Sequence, residues 1–139
     1  MFEKLDVFLQ ENKDKVLVTG GISANKVLEI ESDLGLCLCN SYKEYLRKYG
    51  FIMGYGLEIN GCGLNGESQL VQDTVRFRQY SLPHNLLVMS DLGEYVYCLD
   101  NENEEVFCWY RDDCSSESEG CNLETFILDR LEDGKDNMV

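Results

Sequence analysis

One histidine and no Cys-x-x-Cys pair are scarcities that each close off a class of chemistry. With His84 alone, next to Pro83 in an expected surface turn, neither a histidine-rich metal site nor a nucleophile–histidine pair has residues to draw on. Cys37-x-Cys39 has the wrong spacing for a zinc knuckle. The seven cysteines (Cys37, Cys39, Cys62, Cys98, Cys108, Cys114 and Cys121) are odd in number and cannot all pair within the chain. Several sit among apolar residues, where a reduced, buried thiol is the ordinary state. No metal, cofactor or disulfide framework is expected. Long apolar runs are also missing. Leu86–Met89 is a typical stretch, far short of the ~20 residues that span a bilayer. Met1–Asp6 carries acids where a secretory signal starts with bases. The expected location is the cytoplasm, with no membrane partner.

Acids strongly outnumber bases in one region only. Residues 1–50 hold eight acids and seven bases, and residues 51–90 hold three and two. Residues 91–139 hold fifteen acids and three bases, which accounts for most of the net charge of -14. Such a field repels nucleic acid and anionic lipid and attracts basic partners, although a solubilising acidic surface is the commoner cause of this pattern.

What is present suits a folded domain. At 44% apolar over 139 residues the chain can build a core, and one domain over residues 1–139 is expected, frayed at 133–139. Phe2, Leu5, Phe8 and Leu9 predict a helix over 2–12, and Val16–Val18 an edge strand or linker. Val27, Ile30 and Leu34 mark a second helix closed by Gly35. Ser41 and Glu44 have capping-box spacing before a helix whose Tyr42, Tyr45, Leu46 and Tyr49 share a face. Residues 51–60 read as one strand loosened by glycines, and Leu70, Val71, Thr74 and Val75 as a helix. Leu86–Met89 reads as a buried strand. Residues 94–100 alternate, with Tyr95, Tyr97 and Leu99 opposite Val96 and Cys98, and pair with 105–110 across Asn101–Asn103. Residues 111–121 read as a polar loop and Leu123, Phe126, Ile127 and Leu131 as a closing helix. The order argues α+β, a largely antiparallel central sheet flanked by N-terminal helices and a C-terminal helix.

Gly61-Cys-Gly63-Leu-Asn-Gly66 matches the spacing of a dinucleotide-binding fingerprint, with Asp91 placed where a ribose-binding acid would be sought. The strand before it carries Glu58, Asn60 and two glycines, unlike a buried parallel strand, and only 48 residues follow Asp91. A glycine-rich turn is the expectation, and a nucleotide-binding enzyme a minor alternative. No pair of acids falls in a recognisably apolar setting, so no catalytic residue is assigned.

The run Ile30-Glu31-Ser-Asp-Leu34-Gly35-Leu-Cys-Leu38-Cys39-Asn-Ser-Tyr42-Lys-Glu44-Tyr-Leu46-Arg-Lys-Tyr49-Gly50 resembles the SUKH superfamily of bacterial immunity proteins and fungal Smi/Knr-type cell-wall regulators. Gly61, Thr74, Arg78, Leu82-Pro83, Leu87-Val88, Asp91–Asp100, Glu105-Val106 and Trp109 follow in the same order, so the resemblance covers residues 22–131. Cys39 stands where the family usually has proline, and Tyr110 where an acid often follows the tryptophan. The resemblance implies an α+β domain without catalytic machinery that binds and neutralises a protein toxin, often a nuclease. A regulatory adaptor of the same fold is the alternative. A nuclease carries a basic groove, so an acidic inhibitor is its electrostatic complement. The expected partner-binding residues are Asp91, Glu94, Glu102, Glu104, Glu105, Asp112 and Asp113, with Tyr95, Tyr97 and Tyr110 as aromatic anchors and Trp109 as core. Tyr95 and Tyr97, two apart on a strand, are expected to be both buried or both exposed.

Overall fold

The first three helices follow from their apolar spacing. In the computed structural model, which describes residues 2–137, α1 (Glu3–Glu11) buries Leu5 and Leu9. Helix α2 (Ala24–Leu34) buries Val27, Ile30 and Leu34; Ser23 caps its start and Gly35, at φ 71°, closes it. Helix α3 (Asn40–Lys48) buries Tyr42, Tyr45 and Leu46, and Tyr49 follows on the same side. The Tyr42 hydroxyl donates to the Asn60 carbonyl (2.6 Å) and the Tyr45 hydroxyl to that of Ile59 (2.7 Å). These bonds satisfy two phenols in the core, and burial pushes both pKa values upward.

The fold is α+β with antiparallel sheet structure, as expected, and its strands form two sheets of three and four strands. The smaller has the order β1 (Val16–Val18), β2 (Ile52–Gly54), β3 (Leu57–Ile59). Residues 51–60 are therefore a hairpin and not one strand. Tyr55 (φ 49°) and Gly56 (φ 80°) make the two-residue turn, both in the left-handed region that such hairpins need. The larger sheet has the order β4 (Leu86–Asp91), β5 (Tyr95–Asp100), β6 (Val106–Tyr110), β7 (Ser116–Ser118). Strand β7 replaces part of the loop expected over 111–121. All three of its side chains are exposed, so it has no hydrophobic alternation to announce it.

Both faces of the larger sheet are covered. Leu87, Tyr97, Leu99, Val106 and Cys108 face the main core, with α1, α2, α3, the small sheet and α5 (Leu123–Asp136). Leu86, Val88, Val96, Cys98 and Trp109 face a second core closed by Phe77 of α4 (Gln69–Arg78) and by Leu82. Trp109 is fully buried, edge-on to Phe77 at 6.2 Å, so it is core as expected.

Of the segment 133–139 expected to fray, residues 133–136 continue α5; Met138 and Val139 lie outside the described residues. The last turn is held by packing. A Cβ on Gly134 would stand 2.3 Å from the Tyr55 carbonyl oxygen, and Lys135 lies over the Phe8 ring. No helix among the described residues is long and apolar enough to cross a membrane.

Candidate functional site

The acids expected to form one docking surface are divided between the two ends of the larger sheet. Its main strands are five or six residues long, which separates the ends by about 17–20 Å.

At one end, the β5–β6 turn packs on the start of α3. Asn101 Oδ1 accepts from Cys39 N–H (2.7 Å), and its Nδ2 donates to the Cys37 carbonyl (2.8 Å). Glu104 Oε1 accepts from Ser41 N–H (2.8 Å). Glu104 thus serves the Ser41 N–H, one of the backbone donors that the capping box was expected to satisfy. Helix α3 instead starts at Asn40, its N-cap is Cys39, and no side-chain cap bond comes from within the segment. The Ser41 N–H, which favours the carboxylate, holds the pKa of Glu104 below the usual glutamate range. Glu104 is thus a structural cap. Glu105 accepts from the Ser118 hydroxyl, tying the turn to β7, and Glu102 is exposed, its N–H bonded to Asp100.

At the other end, Arg111 N–H donates to the Glu94 carbonyl (3.1 Å) and joins the β4–β5 and β6–β7 turns. This brings Glu94, Asp112 and Asp113 to one exposed edge. Asp113 accepts from Ser115 N–H and hydroxyl. None of the three acids is in an ion pair among the described residues.

Tyr95, Tyr97 and Tyr110 share a face of the larger sheet, but not one fate. Helix α5 covers Tyr97: its ring lies 4.8 Å from that of Phe126, and Arg130 donates to its hydroxyl (2.8 Å). Tyr97 is buried, and so is corrected from surface anchor to core. Tyr95 and Tyr110, whose rings are 6.0 Å apart, are half-buried beyond the reach of the helix. The expectation that Tyr95 and Tyr97 share an environment fails because α5 covers only part of that face.

Asp91 belongs to a feature that sequence reasoning missed. Beside it, the facing edges of β3 and β4 part and leave a cleft of about 430 Å³, lined by Met53, Glu58, Asp73, Asp91 and Leu92 among others. Asn60 pins the closed end: its N–H donates to the Met89 carbonyl (2.7 Å), and its Nδ2 to Val88 (3.1 Å) and Asp73 (2.9 Å). Arg76 bridges Asp73 (3.1 Å) and Asp91 (2.7 Å) at the rim. No local motif announces the cleft, because its walls come from separate hairpins and a helix.

The Gly61–Gly66 segment does not sit in a parallel βαβ unit. The hairpin before it and the sheet after it are antiparallel. Gly61 is needed for packing: a Cβ there would lie 1.8 Å from the Gly50 carbonyl oxygen. Helix α4 is capped by its own Ser68, whose oxygen accepts from Val71 N–H (3.2 Å). His84 is exposed, with Nε2 3.3 Å from the Gly35 carbonyl oxygen. All seven cysteines are unpaired, and burial pushes the thiols of Cys62, Cys98 and Cys108 upward, away from the thiolate.

Residues 5–132 match the family model SUKH_5, described as SMI1-KNR4 cell-wall. The chain belongs to this family.

Proposed function

We propose that this SUKH-family domain is a non-catalytic cytoplasmic binding protein that neutralises a basic protein toxin by covering its surface. The observation that carries this reading is the edge formed by Glu94, Asp112 and Asp113, three exposed acids in no ion pair among the described residues, beside the half-buried Tyr95 and Tyr110. The charges act at long range. They steer a basic partner toward the molecule, while each exposed pair contributes only about 0–1 kcal/mol once formed. Affinity then comes from a few buried contacts, for which tyrosine is well suited. A nuclease or another nucleic-acid-modifying enzyme fits best, since its substrate groove must be basic.

The test is association kinetics with the protein that co-purifies from the native cell. Steering is screened over about 8 Å at physiological ionic strength, so the on-rate should fall sharply as salt rises. Equal on-rates at low and high salt would remove the steering claim. The cell-wall description of the family model supports a second reading, a regulatory adaptor of the same fold. A co-purifying partner that is neither basic nor toxic would favour it.

A further inference from the structure

The cleft between β3 and β4 combines an open backbone edge, an exposed apolar row and an excess of negative charge. The backbone comes first. Strand β3 is the outer strand of the small sheet, with Gly54 opposite Leu57 and Met53 opposite Glu58. Across a two-residue turn the pair flanking the turn is hydrogen-bonded, so at the next position Glu58 turns its N–H and C=O away from β2. On the far wall, Leu92 N–H donates to the Tyr95 carbonyl, so the preceding residue, Asp91, turns its backbone groups away from β5. Among the described residues, the only backbone hydrogen bond joining the two edges is that from Asn60 to Met89. Beyond it both strands present unpaired edges to one space, the situation in which an added strand is recognised.

The side chains add a chemical preference. Leu17, Met53 and Glu58 are register neighbours across the solvent face of the small sheet, and Leu17 and Met53 are exposed by 49% and 37%. Leu92, 48% exposed, stands on the opposite wall. Glu58, Asp73 and Asp91 supply three carboxylates against the single guanidinium of Arg76. Glu58 is in no ion pair among the described residues.

We propose that this cleft receives an extended, basic segment of a protein partner, laid along the open edge of β3. The segment's backbone pairs with the outward N–H and C=O of Glu58, and an arginine or lysine enters between Glu58 and Asp91. Apolar residues two positions away from it, on the same face of the segment, cover Met53 and Leu92. The inference deepens the binding-protein reading and rests on it for the partner's identity. It places the docking site at the joint between the sheets, apart from the Glu94–Asp112–Asp113 edge, which then acts in steering.

The test uses a display library of random peptides panned against the full chain, with the tightest recovered peptide synthesised as the probe. The expected peptides carry a basic residue with apolar residues two positions to either side of it, and protect the amides of Glu58 and Asp91 from hydrogen exchange. Glu58→Lys, at an exposed position, should keep the wild-type melting temperature and weaken binding about tenfold or more, since it sets like charges together. Leu92→Ser should weaken it several-fold without a change of charge. Failure to recover peptides, protection confined to other amides, or unchanged affinity in Glu58→Lys would overturn the proposal. If a native partner bound tightly and left the Glu58 and Asp91 amides unprotected, the cleft assignment would fall while the binding reading stood. If the cleft bound basic peptides but the native partner proved not to be a toxin, the reverse would hold.

Discussion

The two ends of the larger sheet carry the same residue type in opposite employment. At the β5–β6 end, Glu104 and Asn101 are bound to the backbone at the start of α3, and Glu105 to β7. At the β4–β5 end, Glu94, Asp112 and Asp113 reach solvent, and Asp113 accepts local bonds from the Ser115 N–H and hydroxyl. The difference lies in what is packed opposite: one turn meets a helix N-terminus with orphan N–H groups, the other meets water. An acidic stretch therefore cannot be taken as a docking surface until the backbone donors within reach of it are known.

The largest effect that tests this comparison is aromatic. Tyr97→Ala, under α5, should cost about 3–5 kcal/mol in denaturant unfolding, whereas Tyr95→Ala, half-buried beyond the helix, should cost less than half as much. Equal losses would mean that α5 does not divide that face. Next, Glu104→Ala leaves the Ser41 N–H without its charged acceptor and should cost about 1.5–3 kcal/mol, while Glu94→Gln and Asp112→Asn should stay within about 0.5 kcal/mol.

The third effect depends on pH. The carboxyl of Glu104 has a lowered pKa in the folded state because of its bond from Ser41 N–H. The stability it contributes is therefore present above the unfolded value of about 4.3 and is lost as pH falls through the folded pKa. Melting curves of wild type and Glu104→Gln should differ at neutral pH and converge in acid. A gap that persists in acid would assign the effect to shape and not charge. The smallest effect is kinetic: Asp112→Asn with Asp113→Asn should slow association with a basic partner severalfold at low salt and hardly at all at high salt, with the melting temperature nearly unchanged.

Much of the fold was legible in the sequence because its apolar residues recur at helix or strand period. Helix α3 could be read from Tyr42, Tyr45, Leu46 and Tyr49, and the β5–β6 hairpin from its alternation. The cap on α3 could not, because its acceptors lie 62 and 63 residues from the groups they serve. Strand β7 was hidden because all three of its side chains are exposed and show no hydrophobic alternation. The β2–β3 hairpin was hidden because nothing in a tyrosine announces a positive φ. The candidate site was legible only in part. Asp91 was picked out for its charge, but Glu58 and Asp73 join it only through the meeting of the two sheets at Asn60.

The distant cap on α3 also constrains how the molecule is made. When residues 40–48 leave the ribosome, Asn101 and Glu104 have not yet been translated, and at about 5–20 residues per second several seconds pass before they emerge. During vectorial synthesis the amino end of α3 must wait uncapped in water. The helix is completed only by a turn born late, which ties the docking of the nascent N-terminal half to translation of the last third.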